Sequence, residues 1–165
     1  VASDAAWYLC LIGTTSSATG LATPGTHQTN FAGDPDDAFL LKFTASGARI
    51  WGTYLGGPGS DQAPGLAVDP AGNVVITGVT TSTTGIASAN GLQTTLQGGR
   101  DGFAVLFDAN GQRIWGTYLG SATPGLEATN GAELLWELAG RINTFHCPRQ
   151  YPSEAKRRTH FTRSI

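Results

Sequence analysis

The chain contains the same eight residues twice. Residues 49–56 and 113–120 both read RIWGTYLG. The identity sits inside a longer match, DAFLLKFTASGA at 37–48 against DGFAVLFDANGQ at 101–112, an offset of 64. Upstream, GTTSSATGLATPGTHQT at 13–29 matches GVTTSTTGIASANGLQT at 78–94 with an offset of 65. A one-residue deletion near Pro35 reconciles the two offsets. The first residues, VASDAAWYLCLIG, match LAVDPAGNVVITG at 66–78 and set Asp4 over Asp69. Such self-similarity is the mark of a duplicated unit, and duplicated units bury their apolar faces by stacking on one another.

The content of one unit is β-structure. ARIWGTYLG (48–56) is aromatic and β-branched and bounded by Gly, APGLAVD (63–69) is a short apolar run, and NVVITGVT (73–80) is β-branched. DGFAVLFD (101–108) is apolar on both faces, as a central strand is. Its counterpart DAFLLKF (37–43) puts Phe39, Leu41 and Phe43 on one face and Lys42 on the other. Asp69-Pro-Ala-Gly-Asn73, Ala109-Asn110-Gly111 and Ala45-Ser46-Gly47 carry tight-turn chemistry. One long loop remains, TSTTGIASANGLQTTLQGG at 81–99. Composition agrees: charged residues are 13%, against about 25% in typical domains, and 23 of 165 residues are Gly, about twice the usual share. A net charge of -2 argues against a nucleic-acid partner. No apolar run approaches the roughly 20 residues of a membrane-spanning helix.

The reading is all-β: antiparallel four-stranded sheets of propeller-blade type, meander-ordered, in an incomplete propeller. Residues 1–120 hold the repeats, with copies near 1–56 and 57–120, and supply seven strands plus a short initial stub. That is less than two full blades, so the expected partners are further blades of the same array or other copies of the chain. The ordered motifs resemble the SBBP-type β-propeller repeat of bacterial surface and secreted proteins. They run as TYLGGPGSDQAPGLAVDPAGNVVITGVTTSTTG (53–85) followed by LQTTLQGGRDGFAVLFDANGQRIWGTYLG (92–120). The resemblance covers nearly all of residues 1–120. It implies a scaffold or adhesive unit with an extracellular or cell-surface location, and it brings no shared catalytic residues. One departure is local: Trp7-Tyr8 stand where the second copy has Gly72-Asn73, so the first hairpin is expected to be degenerate or frayed.

The pattern stops at Ser121. Residues 1–120 contain eight Asp and no Glu, while Glu127, Glu133, Glu137 and Glu154 all lie beyond. Six of the ten Lys and Arg lie there too, so the body is -4 and the remainder +2. A helix over 131–142 is expected, capped by Asn130 with Glu133, then loop or disorder. Two origins stand open: an evolved helical cap over a blade edge, or translation out of frame or rearrangement, which the loss of every Gly-turn landmark favours. The absence of Met and of any basic-then-apolar start suggests an excised beginning.

Candidate chemistry is sparse. Asp34, Asp36 and Asp37 in GDPDD could form a Ca²⁺ loop, since hard cations take several carboxylate oxygens. The second copy keeps only Asp101, which favours a solvated turn with a strand-start cap. Asp61, Asp69 and Asp4 recur where a turn calls for a side chain bonding its own backbone. His27, His146 and His160 have no ligand spacing, and the second copy has Leu92 in place of His27. No nucleophile elbow, P-loop or dinucleotide fingerprint occurs. Trp51, Trp115, Tyr54 and Tyr118 occupy equivalent places and suit inter-blade packing better than sugar stacking. Lys156-Arg157-Arg158 reads as a solvated run. Cys10 reads as a small core residue, and with Cys147 it forms no CxxC pair. The expected function is a non-enzymatic surface or secreted module for adhesion or protein and glycan interaction, with no catalytic, cofactor or metal residues assigned. The alternatives are substrate-binding blades of a larger secreted hydrolase or lyase, or a truncated or frameshifted fragment.

Overall fold

The computed structural model describes residues 1–4, 6–33 and 35–121. The helix expected over 131–142, Cys147, His146, His160, the 156–158 run and Asp34 lie outside the described residues. Eight strands follow in order: β1 (Ala2–Ser3), β2 (Leu9–Thr15), β3 (Asp37–Phe43), β4 (Arg49–Leu55), β5 (Asp61–Val68), β6 (Val74–Thr80), β7 (Asp101–Phe107) and β8 (Arg113–Leu119). Among the described residues there is no helix. The strands form two open antiparallel meanders, β1-β2-β3-β4 and β5-β6-β7-β8. The fold is therefore all-β with blade-like four-stranded sheets.

Turn chemistry sets the meander. In the β5–β6 turn the Asp69 carboxylate accepts the Asn73 amide at 2.8 Å, and Gly72 takes φ 82°. Asp108 accepts the Asn110 and Gln112 amides in the β7–β8 turn, closed by Gly111 at φ 80°. In the β1–β2 turn Asp4 accepts the Ala6 and Tyr8 amides. There Trp7 occupies the glycine position at φ 62°. A left-handed conformation costs an L-residue roughly 1–2 kcal/mol. The departure from glycine coincides with a minimal β1 strand, only Ala2↔Cys10 and Ser3↔Leu9 being paired, where β5 has eight residues.

Both sheets carry a register shift at the same place, between Lys42 and Phe43 and between Leu106 and Phe107. A third shift, between Gln62 and Gly65, accommodates Pro64 in β5, an edge strand where the missing N–H breaks little. One core joins the two sheets. Cys10, Ala38, Leu40, Trp51 and Leu55 of the first pack with Val74, Ile76, Phe103, Val105 and Phe107 of the second.

The alternation read in β3 holds, with Lys42 on the face opposite Phe39, Leu41 and Phe43. The core-facing set is Ala38, Leu40 and Lys42, and Phe39 and Phe43 on the other face are only half-buried. Lys42 is buried because Asp4 lies 3.4 Å from its ammonium, both side chains being under a tenth exposed. The Tyr8 ring also faces that ammonium, 5.1 Å from the ring centre.

Candidate functional site

The eight-residue identity is explained by a clamp that each sheet places on its own long loop. Arg49 donates to the carbonyls of Gly20 and Leu21, and Arg113 donates to those of Gly85 and Ile86. Thr53 and Thr117 accept the Gln28 and Gln93 amides at 2.9 and 2.8 Å. The Tyr54 hydroxyl donates to Ser17 O at 2.9 Å, and the Tyr118 hydroxyl to Ser82 O at 3.0 Å. Main-chain bonds complete the attachment, Thr23 N to Gly52 O and Tyr54 N to Gln28 O, then Ser88 N to Gly116 O and Tyr118 N to Gln93 O. The glycine in the motif lets the loop approach. A Cβ at Gly52 or Gly116 would strike the carbonyl of Leu21 or Ile86. The loops thus cover the outer edges of β4 and β8, which would otherwise present unpaired amides and carbonyls.

The acidic residues take three different roles. Asp4, Asp69 and Asp108 cap turns. Asp37 and Asp101 begin β3 and β7 and are buried, at 0% and 1% exposure, rather than solvated. Asp37 accepts the Ala32 amide (2.8 Å) and the Gln28 side-chain amide (3.2 Å); Asp101 accepts those of Gln97 (2.8 Å) and Gln93 (2.9 Å). Asp37 follows Ala32 by five residues and Asp101 follows Gln97 by four, which locates the single-residue length difference between the repeats. The other oxygen of each, Oδ1, has no hydrogen-bond partner. Burial pushes the Asp37 carboxyl up to about 6, against the opposing pull of its Ala32 bond.

Asp61 is the third kind, and here the turn reading is corrected. Its carboxylate reaches backward to the Gly57 amide at 2.9 Å and accepts from the Ser82 hydroxyl at 2.7 Å and from the Thr80 hydroxyl. It ties the link between the sheets to the end of β6. Burial raises its carboxyl pKa, opposed by those three bonds. A Cβ on Gly56 would meet the carboxylates of both Asp37 and Asp61, so the junction needs glycine there. Asp36 accepts the Ser60 hydroxyl at 2.5 Å on the same junction. Of the proposed Ca²⁺ trio, Asp34 lies outside the described residues, and Asp36 and Asp37 serve different donors. No group of three or more metal-ligating side chains occurs among the described residues.

The aromatic residues of the repeated motif pack rather than present a surface, whereas Trp7 in the first turn is 74% exposed. Trp51 is 6% exposed and donates from Nε1 to Ala109 O of the other sheet at 2.9 Å. Tyr54 and Tyr118 are buried, and Trp115 is half-buried. His27 makes an edge contact with Phe107 across the sheet boundary, ring centres 5.8 Å apart. Burial, with the Arg113 charge adding, pulls its imidazole down to about 4. Cys10 is a buried free thiol, pushed up to about 11 chiefly by burial. A cleft of about 520 Å³ opens beside Ile12, Thr14, Gln62, Pro64, Val79 and Arg100.

Sequence reasoning missed the clamp and the Asp61 junction. The signal for the clamp was present: Gln28 and Gln93, Asp37 and Asp101, Gly56 and Gly120 all match between copies. Compared with known families, residues 50–85 match the SBBP family of β-propeller repeats. No curated protein matches the chain.

Proposed function

We propose that this chain, which carries an SBBP-type β-propeller repeat, serves as a non-enzymatic scaffold or adhesion module of a bacterial cell-surface or secreted protein. The observation that carries the proposal is the use to which the buried acidic groups are put. Asp37, Asp61 and Asp101 hold loops and the inter-sheet link together. None of the three is more than 1% exposed, so none reaches a substrate. Among the described residues, the exposed surface includes the polar crest of two clamped loops, with Ser16, Thr19, Thr29 and Asn30 on one and Thr83, Thr84, Asn90 and Thr94 on the other. Rigidly supported loops with exposed hydroxyls and amides are the usual place for contacts to proteins or glycans. Among the described residues no helix is long and apolar enough to cross a membrane.

The test is binding of the purified chain to arrayed glycans and to immobilised extracellular matrix proteins. Binding should fall at least tenfold on replacing Thr83, Thr84, Asn90 and Thr94 by Ala, with the melting temperature unchanged. Turnover of a polysaccharide or peptide substrate, or binding indifferent to the loop crests, would overturn the proposal.

A further inference from the structure

The two sheets of one chain show what each of their outward faces is built to meet. The face of the second sheet covered by the first is Val74, Ile76, Phe103, Val105 and Phe107. The repeat offsets place Leu9, Leu11, Phe39, Leu41 and Phe43 at the same five positions of the first sheet. Every one is apolar, yet only Leu41 is buried: Leu9 and Leu11 are 41% and 36% exposed and Phe39 and Phe43 half-buried. The converse holds for the second sheet. Its outward Val75, Ala104, Leu106, Trp115 and Leu119 repeat the positions of Cys10, Leu40, Lys42, Trp51 and Leu55, of which all but Lys42 belong to the core between the sheets; Leu106, Trp115 and Leu119 are only half-buried, while Val75 and Ala104 are buried.

We propose that a second copy of this chain docks head to tail, the outward face of its first sheet seated on the outward face of the second sheet. The contact repeats the interface already formed within the chain, so specific bonds follow. Trp51 Nε1 donates to Ala109 O within the chain, and Trp115 Nε1 donates to Ala45 O of the second copy. The His27 amide donates to Gly111 O, and the Leu92 amide donates to Gly47 O of the second copy; both glycines have φ between 80° and 84°. Where His27 packs on Phe107, Leu92 packs on Phe43. Leu92 is 88% exposed in the single chain, a large apolar side chain otherwise left in water. One bond is not reproduced: Gln112 donates to Gly25 O, and Ala48 stands at the matching position. Head-to-tail contacts of this kind close into rings when the rotation permits. Blade rings contain about four to eight sheets, so two to four copies complete one.

The contact goes beyond the adhesive role: it concerns sheet faces, together with Leu92 of the second loop, which lies between the crest residues Asn90 and Thr94. The experiment uses the 165-residue chain with Cys147→Ser, leaving the buried Cys10 in place. Leu92→Cys and Phe43→Cys are made separately, and a short thiol-to-thiol maleimide linker is applied to each protein and to their mixture. The expected result is a cross-linked dimer from the mixture and none from either variant alone. Sedimentation of the chain without these cysteines should show two to four copies, and Leu92→Asp, on an exposed side chain, should weaken association at least tenfold. A monomer at every concentration overturns the proposal. So do equal dimers from the single variants, or a mixture that yields no cross-linked dimer.

Discussion

The Lys42–Asp4 pair shows how much one residue's surroundings depend on a partner far along the chain. Lys42 stands at the place Leu106 takes in the second sheet, on the face turned to the core. Its ammonium is retained there only because Asp4 meets it at 3.4 Å. Removing one member of a buried pair leaves the other charge unpaired, at a cost of about 3–5 kcal/mol. Lys42→Met should therefore lose about 3 kcal/mol in urea unfolding. Lys42→Leu combined with Asp4→Asn should recover most of that loss, because the leucine reproduces the second sheet and no charge is stranded. A loss under about 0.5 kcal/mol for Lys42→Met, the range of ordinary surface changes, would mean that the pair is hydrated. Sequence alone could not have shown this burial. It displays Lys42 as the one polar residue among Phe39–Phe43, and alternation then assigns it to the opposite face from the phenylalanines, which is correct. It does not say which face is the core.

At the level of elements, the strands and turns were legible. Period-two patterns and Asp/Gly turn residues are local signals, and β3, β4, β6 and β7 fall within one residue of the expected bounds. The long loops were not legible, because their attachment runs between residues some 25 to 37 apart and uses backbone atoms that any sequence supplies. What the sequence did display was the repetition of the residues that do the holding. This leads to a sharp expectation for Gly116. A methyl group there would collide with Ile86 O, a main-chain atom that cannot turn aside. Gly116→Ala should cost roughly 2–3 kcal/mol, in the range of overpacking at a close approach. Hydrogen exchange should locate the damage, with the Ser88 and Tyr118 amides losing protection as their bonds to Gly116 O and Gln93 O lengthen. Unchanged protection at those two amides would show that the loop is not held by β8.

For the molecule as a whole, the boundary between the sheets is where acidity acts. Two groups there have displaced pKa values of opposite effect. His27, against Phe107, titrates near 4 in the folded chain instead of 6.5, so the unfolded chain binds more protons between those values. Stability from this group is full above 6.5 and is lost as pH falls toward 4. Asp37, near Asp61 at the junction, titrates near 6 instead of 3.8, so the folded chain holds more protons in that window. Its contribution runs the other way and is lost as pH rises from 3.8 to 6. The raised Asp61 carboxyl has the same sign as Asp37. Between pH 4 and 6 the His27 slope opposes those of Asp37 and Asp61 and flattens the wild-type curve. His27→Leu, which copies Leu92 of the second repeat, removes one arm; its melting temperature should climb as pH falls from 6 to 4. Asp37→Asn weakens the other; an amide oxygen still accepts the Ala32 and Gln28 bonds, and the melting temperature should fall relative to the wild type over the same interval. At pH 7 Asp37→Asn should gain roughly 1–2 kcal/mol, because the mutation removes a carboxylate whose charge is disfavoured by burial. Thermal melts at half-unit steps from pH 4 to 7 decide it. If all three proteins trace parallel curves, neither side chain senses the sheet boundary, and the shape of the parent chain's curve must come from somewhere else.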